Sequence, residues 1–457
     1  MNARKKILYV ASRVPFPPNK GEKIRTFRCL DQLAANHDVY CAFFTDGPDD
    51  NPHVESLRQW CVEIAAVPRP ARPTILATLD LLARGHSVSM AAHRSEELAA
   101  AITKWRESID FDIAVAFSAF MAPYGLAAGA KRTVLDLCDC DSEKWREYAA
   151  RSRWPMSSFW TTESELLRET EARLIAQYDT TIVINERERS ALGESASGVP
   201  VHVVPNGVER PVTPPPRASA IGPIVTFIGA LDYRPNVDAV RWFASRVWPR
   251  IHRANPDALF LVAGHRPSAV VKKLADRPGV RVLGAFESLD ELLTKTRVVV
   301  APLRIARGMQ NKVLEAMAWR RPVVATNAVA AGLSAAYGER LLTSDDPVIM
   351  ADQVVELLRN GKQADEVAER GYRYVTAFHR WPEHLATFER VTLGVGRQLD
   401  TVVHTDENRG VATALESMAA EFQVPIVFST GSFDESRTSV RRRRRPFSVS
   451  AFVESAT

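Results

Sequence analysis

The chain has 457 residues, 46% hydrophobic and 25% charged, which is ordinary for a globular protein. At that length two domains of about 200 residues each are expected rather than a single core. The net charge of +5 equals the five consecutive arginines at 441–445, so the folded body is about neutral and offers little case for nucleic-acid binding.

From the N-terminus, Ile7–Ala11 reads as a buried first strand, with too short an apolar run around it for a secretion signal. No apolar run approaches the roughly 20 residues that span a bilayer. Further strands are predicted at Val39–Phe44, Glu63–Val67, Ile113–Phe117, Thr133–Cys138 and Thr181–Ile184, with helices at Glu22–Asn36, Ser95–Ile109 and Thr161–Gln177. Such alternation implies a parallel, doubly wound sheet. The proline-dense, aperiodic VPNGVERPVTPPPRASAIGP (residues 204–223) then marks a hinge.

After it the alternation restarts. Strands are predicted at Ile224–Ile228, Leu259–Ala263, Val280–Leu283, Val298–Ala301 and Val323–Ala325. Helices are predicted at Asn236–Ile251, Ser268–Ala275, Leu289–Leu293, Pro347–Asn360 and Gln363–Phe378. The expected division is a first domain 1–204, a linker 205–223, a second domain 224–380, a helix within 381–399 packing back on the first domain, and a disordered tail 400–457. Ligands of such sheets sit at the carboxyl ends of the strands, so two facing domains can each hold one substrate.

The five cysteines (Cys29, Cys41, Cys61, Cys138, Cys140) are odd in number and unevenly spaced, which argues against a disulfide framework. The pair Cys138-x-Cys140 lies at a strand end where alternation sends the side chains to opposite faces, disfavouring a metal site. A reduced, cytoplasmic protein is expected.

The stretch PLRIARGMQNKVLEAMAWRRPVVAT (302–326) sets Glu315 among Val313, Leu314, Ala316, Met317 and Ala318 on a nearly buried helix. A buried carboxylate needs a hydrogen-bonding partner. Asn311, Lys312 and Glu315 share a helix face, and Gly308 lets the preceding backbone pass close to a ligand. The helix start, with Arg304, Arg307 and Lys312, can hold a diphosphate. Glu315 can then accept hydrogen bonds from two adjacent ribose hydroxyls. An internal pair of Glu315 with Lys312 or an arginine is the alternative.

Here the chain resembles glycosyltransferases of the GT-B fold, specifically family 4, the retaining nucleotide-sugar enzymes, over about residues 5–395. The resemblance rests on GEKIRTFRCLDQLA, VPNGVE, FIGALDYRPNVDAVRWF, LFLVAGHRP, VRVLGAF and GMQNKVLEAMAWRRPVVAT. LDLCDCDSEKW and PLRIARGMQNKVLEAMA narrow it to sugar transferases associated with exopolysaccharide and PEP-CTERM/exosortase systems. It implies two Rossmann-like domains facing a cleft, a nucleoside diphosphate sugar donor, and a saccharide or lipid-linked acceptor. It also implies that Glu315 binds ribose and that the leaving diphosphate helps deprotonate the acceptor. Many members carry a glutamate where this chain has Arg307, so Arg307 is assigned to phosphate instead.

Other positions follow. Gly21, before a helix and beside the cations Lys20 and Arg25, is placed in a loop facing the sugar and leaving phosphate. Asp139 is assigned to the cleft, with Asp141 or Ser142 capping the next helix. Gly229 is expected to approach the donor phosphates, Phe286 to line the base pocket or the core, and Asn236 to cap its helix. Fixed cations stand in for a metal, and no cofactor is expected. The segments REYAARSRWPMSSFW (146–160) and RPARPTILATLDLLARGHSV (69–88) mix arginines with apolar and aromatic residues, compatible either with core packing or with peripheral contact at the inner face of a membrane. Rival readings are a nucleotide-sugar epimerase and a non-catalytic sugar-nucleotide-binding protein. A dehydrogenase is disfavoured because no G-x-G-x-x-G follows the first strand.

Overall fold

The structure, a computed structural model, describes residues 4–19, 21–209, 222–286, 288–333 and 341–395. Lys20, residues 210–221 of the linker and the tail expected to be disordered lie outside the described residues.

The doubly wound α/β unit occurs twice. The first sheet has seven parallel strands in the order β3-β2-β1-β4-β5-β6-β7. They are β1 (Lys6–Ala11), β2 (Asp38–Thr45), β3 (Glu63–Pro68), β4 (Ile113–Phe117), β5 (Arg132–Cys138), β6 (Thr180–Val183) and β7 (Val201–Val203). Helices on its faces are α1 (Gly21–Asn36), α2 (Asn51–Leu57), α3 (Ile75–Ala83), α4 (Val88–Ala91), α5 (Glu96–Ser108), α6 (Ala122–Ala127), α7 (Asp141–Ala150), α8 (Met156–Ile175) and α9 (Glu186–Leu192).

The second sheet has six parallel strands, ordered β10-β9-β8-β11-β12-β13. They are β8 (Ile224–Ile228), β9 (Leu259–Ala263), β10 (Val280–Gly284), β11 (Val298–Ala301), β12 (Val323–Ala325) and β13 (Leu342–Thr343). Its helices are α10 (Arg234–Trp242), α11 (Trp248–Ala254), α12 (Ala269–Lys272), α13 (Leu289–Lys295), α14 (Asn311–Ala318), α15 (Asn327–Ala330), α16 (Pro347–Arg359) and α17 (Gly361–Phe378). A last helix, α18 (Trp381–Leu393), inserts Trp381, Leu385 and Phe388 into the core that holds Ile7 and Tyr9 of β1.

The central strands are buried on both faces, which is why they read as continuous apolar runs in the sequence. Strand order reverses between β1 and β4 in one sheet and between β8 and β11 in the other. Those switch points, at the carboxyl ends of the strands, are where ligands of this architecture sit.

The expected single helix at 236–251 is interrupted by a π-turn at Phe243–Val247 between α10 and α11. Pro249 has no N–H to give to the carbonyl one turn back, so the ladder widens there. The expected helix caps are also corrected. Cys140, not Asp141 or Ser142, holds the cap position of α7, and its side chain makes no capping bond. The Ser142 N–H is instead satisfied by Glu171 of α8 at 3.2 Å.

Candidate functional site

At the switch point of the second sheet, three backbone loops close over the strand ends. Gly229 N–H donates to the Ala263 carbonyl (3.0 Å) and Gly264 N–H to the Gly284 carbonyl (2.7 Å). A Cβ at Gly264 would stand 1.7 Å from the Gly229 carbonyl oxygen, so this stacking needs a residue with no side chain. Phe286, two residues past β10, lies parallel to His265, two past β9, with ring centroids 6.4 Å apart and planes 27° from parallel.

Lys312 projects from α14 toward this shelf, its Nζ 3.1 Å from where a Cβ on Gly229 would stand, and Glu315 follows three residues later on the same helix. Lys312 Nζ donates to Asn236 Oδ1 (2.8 Å) and lies 4.6 Å from the centre of the Phe227 ring. Asn236 is therefore a support for Lys312, correcting its expected role as a cap; Tyr233 occupies the cap position of α10. Burial pushes the Lys312 ammonium down to about 7, against the pull of Glu315. Burial likewise raises Glu315 to about 6, with Lys312 opposing. No hydrogen bond or ion pair to the Glu315 carboxylate is made among the described residues. Among the described residues Glu315 makes no hydrogen bond or close ion pair with Lys312 or an arginine, although it feels the Lys312 charge. No side chain caps the first turn of α14 either.

The first domain meets this wall at several points. Gly308 has φ +59, and a Cβ on it would lie 1.9 Å from Asp139 Oδ1. Asp139 reaches that position because the β5–β6 register shifts between Asp136 and Cys138, with Cys138 at φ +58. Asp139 Oδ1 is sealed from solvent and has no hydrogen-bond partner among the described residues. Burial, then the nearby carboxylates of Glu188 and Asp141, push Asp139 up to about 7, against Lys144 and Arg25. Carboxyls shifted so far and lying between domains are frequent at functional sites. Gly21 opens α1 directly opposite Asn311: a Cβ there would be 3.9 Å from Asn311 Nδ2.

Three expected cations are held by acids of the chain itself. The Arg25 guanidinium is 1% exposed and forks onto Asp136 at 2.8 and 3.0 Å, with its remaining N–H groups on the Val204 carbonyl (2.9 Å) and Asn206 Oδ1 (3.1 Å). It is fully used in tying β5 to the hinge, because a buried guanidinium is tolerated only when paired. Arg307 is also sealed. It donates to Glu188 at 3.1 Å and lies 3.8 and 3.7 Å from Glu143 and Glu147. It binds the acids of α7 and α9 across the domain boundary. Arg304 forks onto Asp238 of α10 (3.0 and 2.5 Å) and lines a hollow of about 380 Å³ with Arg241, Trp242 and Arg277. Among the described residues, Lys312 alone of the expected cations reaches the Gly229 shelf.

Sequence reading missed the partners. Glu188 receives Arg307, the Gly308 N–H (3.4 Å) and the Cys140 N–H (2.9 Å). Arg187 donates to the Ala306 carbonyl (2.9 Å) and to Glu147 (2.9 Å). Arg234 donates to Ser152 (2.8 Å) and covers the Tyr148 ring at 4.5 Å. Asn206 Nδ2 donates to Asn311 Oδ1 at 3.1 Å. The ERERS run containing Arg187 and Glu188 looks like an ordinary solvated helix face, and nothing local marks it as an inter-domain contact.

Comparison with known proteins bears on these features. Residues 222–360 match the family described as Glycosyl transferases group 1. An uncharacterized 44.6 kDa protein in the cps region of Klebsiella pneumoniae is 23% identical over 159 residues, 33% of this chain. The match spans 41% of that relative's length. Similar solved structures include sucrose-phosphate synthase from Thermosynechococcus elongatus (TM-score 0.62, 16% identity, covering 85% of this chain and 98% of that one). Another is Anabaena HepE in complex with UDP and glucose (0.58, 13%, 86% and 100%). A third is a variant of S. aureus TarM in complex with Fondaparinux, alpha-GlcNAc-glycerol and UDP (0.59, 11%, 86% and 100%). At these identities the likeness establishes the fold, and that fold is GT-B.

Proposed function

We propose that this chain is a retaining glycosyltransferase, of family-4 type, that moves a sugar from a nucleoside diphosphate sugar to a saccharide or lipid-linked acceptor. The observation that carries the reading is Glu315, a buried carboxylate with no hydrogen-bond partner among the described residues, on the helix that follows the switch-point strand β11 and within reach of the Lys312 charge. In the proposed complex the diphosphate meets Lys312 and the uncapped first turn of α14, and the ribose hydroxyls donate to Glu315. Phe286 and His265 supply a flat apolar surface for the base. Asp139, from the opposite domain, orients the acceptor hydroxyl. The leaving diphosphate takes the acceptor proton on the same face of the sugar. Charge on it is met by Lys312 and backbone N–H groups rather than by a metal. UDP in the HepE and TarM complexes makes uridine nucleotides the first donors to try. The cps-region relative and the motif likeness to PEP-CTERM-associated transferases favour exopolysaccharide assembly, at or near the inner face of a membrane.

The deciding experiment is a thermal-shift panel of nucleoside diphosphates and their sugars, followed by product analysis. One base family should raise the unfolding temperature. A new glycoside should form only with acceptor present. A new sugar nucleotide from donor alone would establish an epimerase instead, and no response to any nucleotide would remove the donor site.

Binding should also take up a proton. At pH 8 Lys312, lowered to about 7, is mostly neutral, while Glu315, raised to about 6, is already ionised. A diphosphate beside Lys312 restores its charge, so about one proton per nucleotide should be absorbed at pH 8. Toward pH 6 the uptake should fall, because Lys312 is then already protonated and Glu315 must release a proton. Calorimetry in buffers of different ionisation enthalpy measures this directly; zero uptake at pH 8 would place the diphosphate elsewhere.

A further inference from the structure

The helix α3 contributes nothing to the core: none of its nine residues is buried. Ile75, Leu76 and Leu79 are 81%, 79% and 59% exposed, and their spacing puts them on one side of the helix. The helix is started by its own cap, Thr74 accepting from the Ala77 N–H at 3.2 Å. It is nevertheless fixed in place. α3 packs on α4, and α4 on α8, where Glu163 accepts from Ser87 Oγ (2.7 Å), Val88 N–H (2.8 Å) and Ser89 N–H (2.9 Å). At the start of α8, Trp154 and Met156 are 81% and 46% exposed.

Exposed arginines flank both apolar groups: Arg72 and Arg84 around α3, Arg151 and Arg153 before Trp154. Asp80, the acid of α3, and Arg84 pair at 2.9 Å and cancel, which leaves Arg72, Arg151 and Arg153 as the cations of the rim. We propose that this face docks on the surface of an anionic lipid bilayer without crossing it. Aliphatic side chains on a short helix enter the boundary between headgroups and acyl chains, and tryptophan sits at that depth. Arginines at the rim meet anionic headgroups. Charge decides between occupants. A second copy of this chain would bring one arginine rim against another, and the segment beyond residue 400 carries its own run at 441–445. An anionic bilayer complements the rim. The proposal deepens the lipid-linked form of the proposed function by assigning the contact to the first domain, but vesicle binding is read without any sugar transfer.

The test is sedimentation of the full chain with vesicles of phosphatidylcholine alone or mixed with phosphatidylglycerol. The chain should pellet with the mixed vesicles only. The triple substitution Ile75→Ser, Leu76→Ser, Leu79→Ser should weaken binding about tenfold or more, while the nucleotide-induced thermal shift stays unchanged. Should the triple variant fail to fold, Trp154→Ser decides in its place, with reduced pelleting expected. Failure of native protein to pellet, or equal pelleting of the variants, overturns the proposal. So does binding lost only when Arg441–Arg445 are replaced by serine, or a dimer in light scattering that the triple variant abolishes. Vesicle binding without any nucleotide response would keep this surface and remove the proposed transferase; the reverse pattern would do the opposite.

Discussion

Glu315→Gln should bind the nucleoside diphosphate about a hundredfold more weakly than the native chain and yet unfold at a higher temperature. The two effects have one origin. The carboxylate stands at about 6 instead of 4.5 because burial disfavours its charge. A folded-state value above the unfolded one means that the ionised group opposes folding. The opposition is complete above about pH 6 and gone below about 4.5, and at pH 7 it is worth about 2 kcal/mol. Removing the charge releases that cost and raises the unfolding temperature by a few degrees. A ribose that donates two hydroxyl hydrogens to the carboxylate would lose one charge-assisted bond and have the other weakened, about 3 kcal/mol in total. Titration calorimetry and thermal unfolding at pH 7.5 and at pH 4.5 separate the outcomes. Weaker binding with lower stability would make Glu315 a structural acid. Unchanged binding would remove it from the donor site.

Gly308→Ala should lower product formation by roughly two orders of magnitude and expand the molecule in solution. Two independent features exclude a side chain. The φ of +59 disfavours any L-residue other than glycine by about 1–2 kcal/mol. The new Cβ would also lie 1.9 Å from Asp139 Oδ1, a separation at which something must move. Gly308 and Asp139 lie in loops of different domains, so either the Asp139 carboxylate turns away or, where its sealed surroundings hold it, the two walls part. Parting would break the Arg307 contacts with α7 and α9 and carry Asp139 away from the loop that leads into α14. Small-angle scattering should show a larger radius of gyration for Gly308→Ala, partly reversed in Gly308→Ala, Asp139→Gly, where the clash is gone but the backbone strain stays. An unchanged radius, or no recovery in the double variant, would show that the loop bends locally and the domains do not respond.

Much of the fold was legible because parallel strands buried on both faces leave continuous apolar runs, as at Ile113–Phe117 and Val298–Ala301. The edge strands β7 and β13, of three and two residues, carry only half-buried side chains and leave no such trace. At the site, Gly308, Lys312 and Glu315 were readable because helix spacing and a glycine are local properties. The arginines were not. Arg25 meets Asp136 111 positions away, Arg304 meets Asp238 66 away, and Arg307 meets Glu188 119 away. A charge is visible in a sequence; the partner that consumes it is set by topology. Asp139 gained its place from a strand irregularity that simple alternation does not contain.

One amide in the connecting segment has a wider consequence. The Asn206 side chain accepts from Arg25 and donates to Asn311, while its backbone carbonyl is 2.9 Å from the ring of His379, which leads into α18. The pivot between the lobes and the first residue of α14 are thus joined through a single side chain. Any swing of one lobe tugs on the spot where the sugar's activating group would rest, so grip and posture are one mechanical variable: a chain held open should also be a chain that lets go.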